Sequence, residues 1–183
     1  MRVIAGSARS IPLKTIPGME TRPTTDRIKE TLFNILQPYL CQCRFLDIFA
    51  GSGGIGIEAL SRGAGFCVFI EKNRKAVKII EENLKFTKLE GRARVLSQDA
   101  AAALLFLEGE EPFDCIFMDP PYGKSLEEQM LKILSNVSYV DQNTLIIVEA
   151  SLDTDFSYLE DYGFILAREK KYKTNMHVFI RKA

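Results

Sequence analysis

The sequence predicts an α/β fold. We expect a doubly wound, mostly parallel seven-stranded sheet closed by an antiparallel C-terminal hairpin and preceded by a small N-terminal β-hairpin and helix. Three observations predict it. From Arg44 onward, short apolar runs of strand length alternate five times with helix-like stretches. A glycine-rich segment follows the first run, where such sheets turn from strand into helix. The last two runs, Phe164 to Ala167 and Met176 to Ile180, are separated only by a basic linker and should pair as a hairpin.

Taken in order, Arg2 to Ala5 and Ile11 to Lys14 flank Gly6 to Ser10 like a small hairpin. Thr24 or Thr25 is expected to cap a helix with Ile28, Leu32, Ile35 and Leu36 inward, stopped by Pro38. Arg44 to Phe49 reads as a buried strand, followed by the glycine turn and a helix to about Arg62, ending at Gly63. Phe66 to Ile70 is the second strand. Asn73 should cap a helix with Val77, Ile80 and Leu84 on one face. Ala93 to Leu96 is the third strand, and Asp99 caps the alanine-rich helix to Leu107. Asp114 to Met118 is the fourth strand, with a helix carrying Leu126, Met130, Ile133, Leu134 and Val137 behind it. Thr144 to Glu149 is the fifth strand, before a short helix around Phe156 to Leu159. Residues 1–40 form an extension and 41–183 the α/β domain, in a single compact unit.

The 183 residues, with 46% hydrophobic and 26% charged side chains, have room for one packed domain. No apolar run approaches the roughly 20 residues of a membrane span, and the N-terminus turns polar at once, which predicts a cytoplasmic protein. Cys41, Cys43, Cys67 and Cys115 include no Cys-x-x-Cys pair, and His177 is the only histidine, so no zinc site or other metal centre is expected. No Gly-x-Ser-x-Gly elbow accompanies His177, which removes the common hydrolase design. Basic and acidic residues balance at 24 each. Residues 1–30 nevertheless hold six basic against three acidic, and residues 168–183 six against one, leaving an acidic middle. Basic ends on an acidic body can build a phosphate-binding rim at neutral net charge.

Gly51-Ser52-Gly53-Gly54-Ile55-Gly56 matches Gly-x-Gly-x-x-Gly between a strand and a helix. Glycines there let the backbone approach a ligand in front of the helix N-terminus. Glu71, at the end of the next strand, is placed to accept hydrogen bonds from ribose hydroxyls. Two cofactors fit this loop, a dinucleotide and S-adenosylmethionine (SAM). Asp47, four residues before Gly51, would repel a pyrophosphate but attract an ammonium, and no Tyr-x-x-x-Lys pair is present for hydride transfer. Both points favour SAM.

Asp119-Pro120-Pro121-Tyr122 follows the fourth strand, at the end of the sheet where doubly wound folds place their sites. The prolines stiffen the backbone and offer no N–H. The Asp119 carboxylate and Pro120 carbonyl can then converge as an acceptor-only pair on an exocyclic amine, aiming its lone pair at an electrophilic methyl. Tyr122 can stack on a base extruded from its helix.

This tetrapeptide resembles the motif of SAM-dependent methyltransferases that modify adenine N6, cytosine N4 or guanine N2. Together with Arg22 to Asn34, Asp47 to Gly53 and Glu58 to Ala64, it identifies the chain as resembling the RsmD family across its whole length. The resemblance implies a class I, Rossmann-like methyltransferase domain over 41–183, with residues 1–40 on the RNA and SAM side. It implies methylation of guanine N2 in 16S ribosomal RNA; a module this small, with little basic surface, is expected to need that guanine presented by an assembled small-subunit particle. It assigns Asp47, Gly51 and Gly53 to the methionine part of SAM, Glu71 to the ribose and Asp99 to the adenine amine. It assigns Asp119, Pro120 and Tyr122 to the target base. Arg9, Arg22, Arg27, Lys170, Lys171 and Lys173 are candidates for RNA phosphates.

The nearest alternative, an adenine-N6 methyltransferase, shares this chemistry but usually carries a recognition domain for which the chain has no room. A pyrimidine-C5 enzyme needs a nucleophilic cysteine, commonly after proline, and none of the four follows one. A nicotinamide-dependent reductase leaves Asp119 to Tyr122 unexplained, and a non-catalytic RNA-binding module leaves Glu71 and Asp119 unexplained.

Overall fold

In the computed structural model, residues 1–16 and 26–183 are described. The expected caps Thr24 and Thr25, and the candidate RNA contact Arg22, lie outside them. Strands β1 (Arg44–Ile48), β2 (Phe66–Ile70), β3 (Ala93–Leu96), β4 (Cys115–Met118), β5 (Leu145–Ser151), β6 (Phe164–Lys171) and β7 (Asn175–Lys182) form one sheet. Their spatial order is β3-β2-β1-β4-β5-β7-β6. The first five are parallel, and β7 runs antiparallel against both β5 and β6. This is the doubly wound sheet with its closing hairpin that the apolar periodicity predicts.

Strand alternation sorts the core into two halves. Leu46, Ile48, Ile116, Met118, Ile146 and Val148 face helices α4 (Ala100–Phe106) and α5 (Leu126–Leu134). Phe45, Cys67, Phe69, Cys115, Phe117, Leu145 and Ile147 face the other side. There they meet α1 (Asp26–Leu36), α2 (Gly54–Ser61), α3 (Arg74–Thr87) and the N-terminal arm. Five residues of β1 and five of β2 with both faces covered explain why these strands read as continuous apolar runs.

Three elements differ from the sequence expectation. The N-terminal hairpin forms but stays short: Val3 N donates to Ile11 O, Ser10 N to Val3 O and Leu13 N to Met1 O, around a single antiparallel bridge between Arg2 and Pro12. On α1 the buried face is Lys29, Leu32, Phe33 and Leu36, with Ile28 and Ile35 at its margin. The reason is an ion pair: Lys29 Nζ lies 3.2 Å from the Glu58 carboxylate, which is itself fully buried. The hairpin linker, finally, is strand. β6 runs on to Lys171, with a bulge between Leu166 and Arg168, as a charged edge strand.

The arm is stitched to α2 by that same carboxylate. Glu58 accepts from the backbone N–H of Ile4 and Ala5 and from Arg62 Nε, while Ser61 Oγ accepts from Ala8 and donates to the Ala5 carbonyl. Gly6 runs so close that a Cβ would sit 1.8 Å from the Ser61 carbonyl oxygen, and its φ is +85°.

Candidate active site

The site lies past the carboxyl ends of β1, β2, β4 and β5, where the chain turns from strand to helix. Gly51 and Gly53 take left-handed backbone angles, φ 57° and 81°, so the loop after β1 turns as only glycine does easily. Gly56 serves packing instead. A Cβ there would meet the Phe69 ring at 2.3 Å, so this glycine lets α2 lie against β2.

Gly53 is the N-cap residue of α2 and has no side chain to cap with. Asp47 does that work from beneath, its Oδ2 accepting from Gly56 N at 2.9 Å. The Asp47 carboxyl is 2% exposed, and burial pushes its pKa up to about 7, with a smaller upward push from Glu71 and a downward one from the Gly56 bond. No cation pairs with it among the described residues.

Glu71 follows β2 and grips the loop with both oxygens: Gly51 N donates to one at 2.9 Å and Asn73 N to the other at 2.8 Å. The sequence expects Glu71 at a ribose; both of its bonds in the structure are to the backbone. Glu71 also fixes the glycine loop against the start of α3. Asp99 stands exposed after β3 and accepts from Ala101 N, so it caps α4.

Asp119 directly follows β4, part-buried, with Pro120 buried and Tyr122 about half exposed behind it. Burial first, then the charges of Glu149 and Asp47, hold its carboxyl well above the usual carboxylate range. Three carboxylates thus share the end of one sheet face, and the sequence reading had singled out only two of them. Glu149 was missed because it sits within an apolar strand and belongs to no recognised motif. The available signal was its position, a carboxylate at the carboxyl end of β5, matching Asp119 on β4.

The basic candidates scatter. Arg27 is exposed on α1. Arg9 lies in the loop packed on Ser61, at the end of α2 away from the glycine turn. The lysines divide across the sheet: Lys170 pairs in register with His177 and so shares its face, whereas Lys171 pairs with Met176 on the other and bonds Glu169 at 2.8 Å. Lys173 is exposed in the turn between β6 and β7. Cys43, Cys67 and Cys115 are buried free thiols, and Cys41 is exposed.

The chain is similar to proteins of known sequence and structure along nearly its full length. It is 39% identical over 174 residues to the YlbH protein of Bacillus subtilis, covering 94% of each chain. It is 37% identical over 155 residues to ribosomal RNA small subunit methyltransferase D of Escherichia coli, covering 84% of this chain and 76% of that one. The solved structure of the Escherichia coli yhhF protein superposes with a TM-score of 0.85 at 34% identity, over 100% of this chain and 97% of the other. The structural relatives share the class I methyltransferase architecture. The model of the family described as conserved hypothetical protein 95 matches residues 1–181, and the chain belongs to that family, the RsmD family.

Proposed function

We propose that the protein transfers a methyl group from SAM to the exocyclic N2 of a guanine in 16S ribosomal RNA, presented on a small-subunit particle. The observation that carries this is Asp119-Pro120, an acceptor-only corner at the end of β4, one strand from the glycine loop. The relatives named ribosomal RNA small subunit methyltransferase D support the RNA substrate.

The residues fit the cofactor. Asp47 is a buried carboxylate with one backbone donor and no counter-cation among the described residues, which suits the ammonium of an amino acid. The space around Gly51 is open, with nothing within 4 Å of where a Cβ would stand. Gly51 N is committed to Glu71, so that carboxylate holds the loop while accepting from ribose hydroxyls. Asp99 is assigned to the adenine amine.

SAM, when bound, supplies an electrophilic methyl. Asp119 and the Pro120 carbonyl take the two amine hydrogens, which turns the nitrogen lone pair away from the ring. As the nitrogen–carbon bond forms, the amine must shed a proton. Asp119 receives it, and its raised proton affinity makes it a better base than an ordinary carboxylate. Tyr122 stacks on the guanine once it leaves its helix.

The test is transfer from tritiated SAM to small subunits from a strain lacking the enzyme, followed by digestion and nucleoside mapping. Label in N2-methylguanosine of 16S RNA is expected. Label in N6-methyladenosine, or none, overturns the reading. Asp119→Ala should still bind SAM but lose about a hundredfold or more in transfer rate.

A further inference from the structure

The wall beside Asp119 is built more elaborately than an amine grip requires. β4 and β5 pair in parallel through Met118 and Val148, so Asp119 and Glu149 follow side by side, with strands about 4.8 Å apart. Glu149 is only 5% exposed. Asn175 Nδ2 donates to its Oε1 at 2.7 Å, and His177 Nε2 lies 3.1 Å from its Oε2.

These two contacts hold both Glu149 oxygens in a fixed direction. The His177 hydrogen then sits on Nε2, leaving Nδ1 to accept from the Tyr172 hydroxyl at 3.1 Å. Burial, and after it the Glu149 charge, pushes the Tyr172 pKa up to about 12, so the phenol keeps the proton it donates. Edge-on contacts with Phe117 and Tyr172 hold the His177 ring in place. Asn175 Oδ1, buried on the same wall, has no hydrogen-bond partner among the described residues. The result is a rigid carboxylate next to an unsatisfied acceptor, both beside the residue that grips the amine.

We propose that Glu149 selects the base: its carboxylate accepts the N1–H of guanine while Asp119 and Pro120 hold the N2 amine. This rests on the amine-methyltransferase reading above. Guanine carries a ring N–H next to its exocyclic amine. Adenine and cytosine carry a ring lone pair in that place, and a fixed carboxylate repels it. An acceptor-only wall therefore favours the one amine-bearing base that presents donors alone along this edge.

The test uses small subunits reconstituted from 16S RNA with guanosine, 2-aminopurine riboside or 1-methylguanosine at the methylated position. All three keep the C2 amine. 2-Aminopurine has a lone pair at N1, and 1-methylguanosine a methyl. Single-turnover rates are measured at saturating SAM for the wild type, Glu149→Ala and Glu149→Gln. The guanosine to 2-aminopurine rate ratio should fall about 10–100-fold in Glu149→Ala, which removes one charge-assisted hydrogen bond. It should fall further in Glu149→Gln, whose amide can donate to the N1 lone pair.

A purely structural role would slow both substrates alike, so an unchanged ratio in both variants overturns the proposal. The wild type provides a measurement independent of folding: it should fail on 1-methylguanosine, and methylation at the guanosine rate overturns the proposal as well. Label on a base other than guanine overturns the guanine reading together with this one. Label on guanine with unchanged ratios overturns this one alone.

Discussion

Asp47 meets a buried environment with one backbone donor and no counter-charge among the described residues, and this has consequences for pH. Its folded pKa, about 7, lies above the ordinary 3.8, so folding favours the protonated form. The stability this provides is complete below the unfolded pKa and is lost as pH rises through about 7. A bound ammonium reverses the preference, because it attracts the carboxylate form. SAM affinity should therefore climb by up to about tenfold per pH unit between pH 5 and 7, then level off. In Asp47→Asn the affinity should be weaker and nearly flat over that range. Calorimetric titration at four pH values checks both, and a flat wild-type profile would remove Asp47 from the ammonium site. Glu71 carries a different expectation, because it holds two backbone N–H groups besides its proposed place at the ribose. Glu71→Ala should lose about 1–3 kcal/mol of stability and weaken SAM about tenfold or more. A melting temperature equal to wild type would show that the clamp on Gly51 is dispensable.

The N-terminal arm and α2 act as one unit because Glu58 joins them. Lys29 and Arg62 approach this buried carboxylate at 3.2 and 2.8 Å, and burial lowers the Lys29 pKa against the opposing pull of Glu58. Removing one partner leaves buried charges uncompensated, so Glu58→Ala should cost about 3–5 kcal/mol in denaturant unfolding. A loss under about 1 kcal/mol would mean that water replaces the carboxylate. None of this was legible in the sequence, where Glu58 and Lys29 stand in helices as ordinary charged residues. What was legible depended on local rules: apolar runs for the strands, Asn73 and Asp99 as caps, glycines where φ turns positive. The length of β6 was hidden for the opposite reason. An edge strand needs few apolar side chains, so its charged residues read as a linker. At the site, Asp119 was visible because its neighbours form a motif. Glu149, Asn175 and His177 come from two strands joined only by the antiparallel β5–β7 pairing, and sequence spacing says nothing about that register.

Across the whole molecule, the neutral net charge conceals a polarity that RNA binding can use only where basic side chains share the site's side of the sheet. The sequence grouped Lys170, Lys171 and Lys173 as one cluster, but pleating separates the first two. Lys170 lies opposite His177, on the face that carries Asp119 and Glu149, and Lys171 points to the other face and is tied to Glu169. Arg9 rides on the far end of α2, about one helix length of 12 Å from the glycine loop. Under the proposed function, a flipped guanine brings its flanking phosphates over the Asp119 side. Salt dependence can read this layout one residue at a time. Each lost phosphate contact lowers the slope of log affinity against log salt by roughly 0.7–0.9. Lys170→Gln should show that full reduction in small-subunit binding, whereas Lys171→Gln and Arg9→Gln should leave the slope within error of wild type. The comparison is internal, since all three variants remove one positive charge and change the net charge equally. If the three slopes fall together, binding follows total charge rather than its placement on the sheet. If Lys171→Gln falls and Lys170→Gln does not, the RNA approaches over the α4–α5 face, and the base could reach Asp119 only from the opposite side of the sheet.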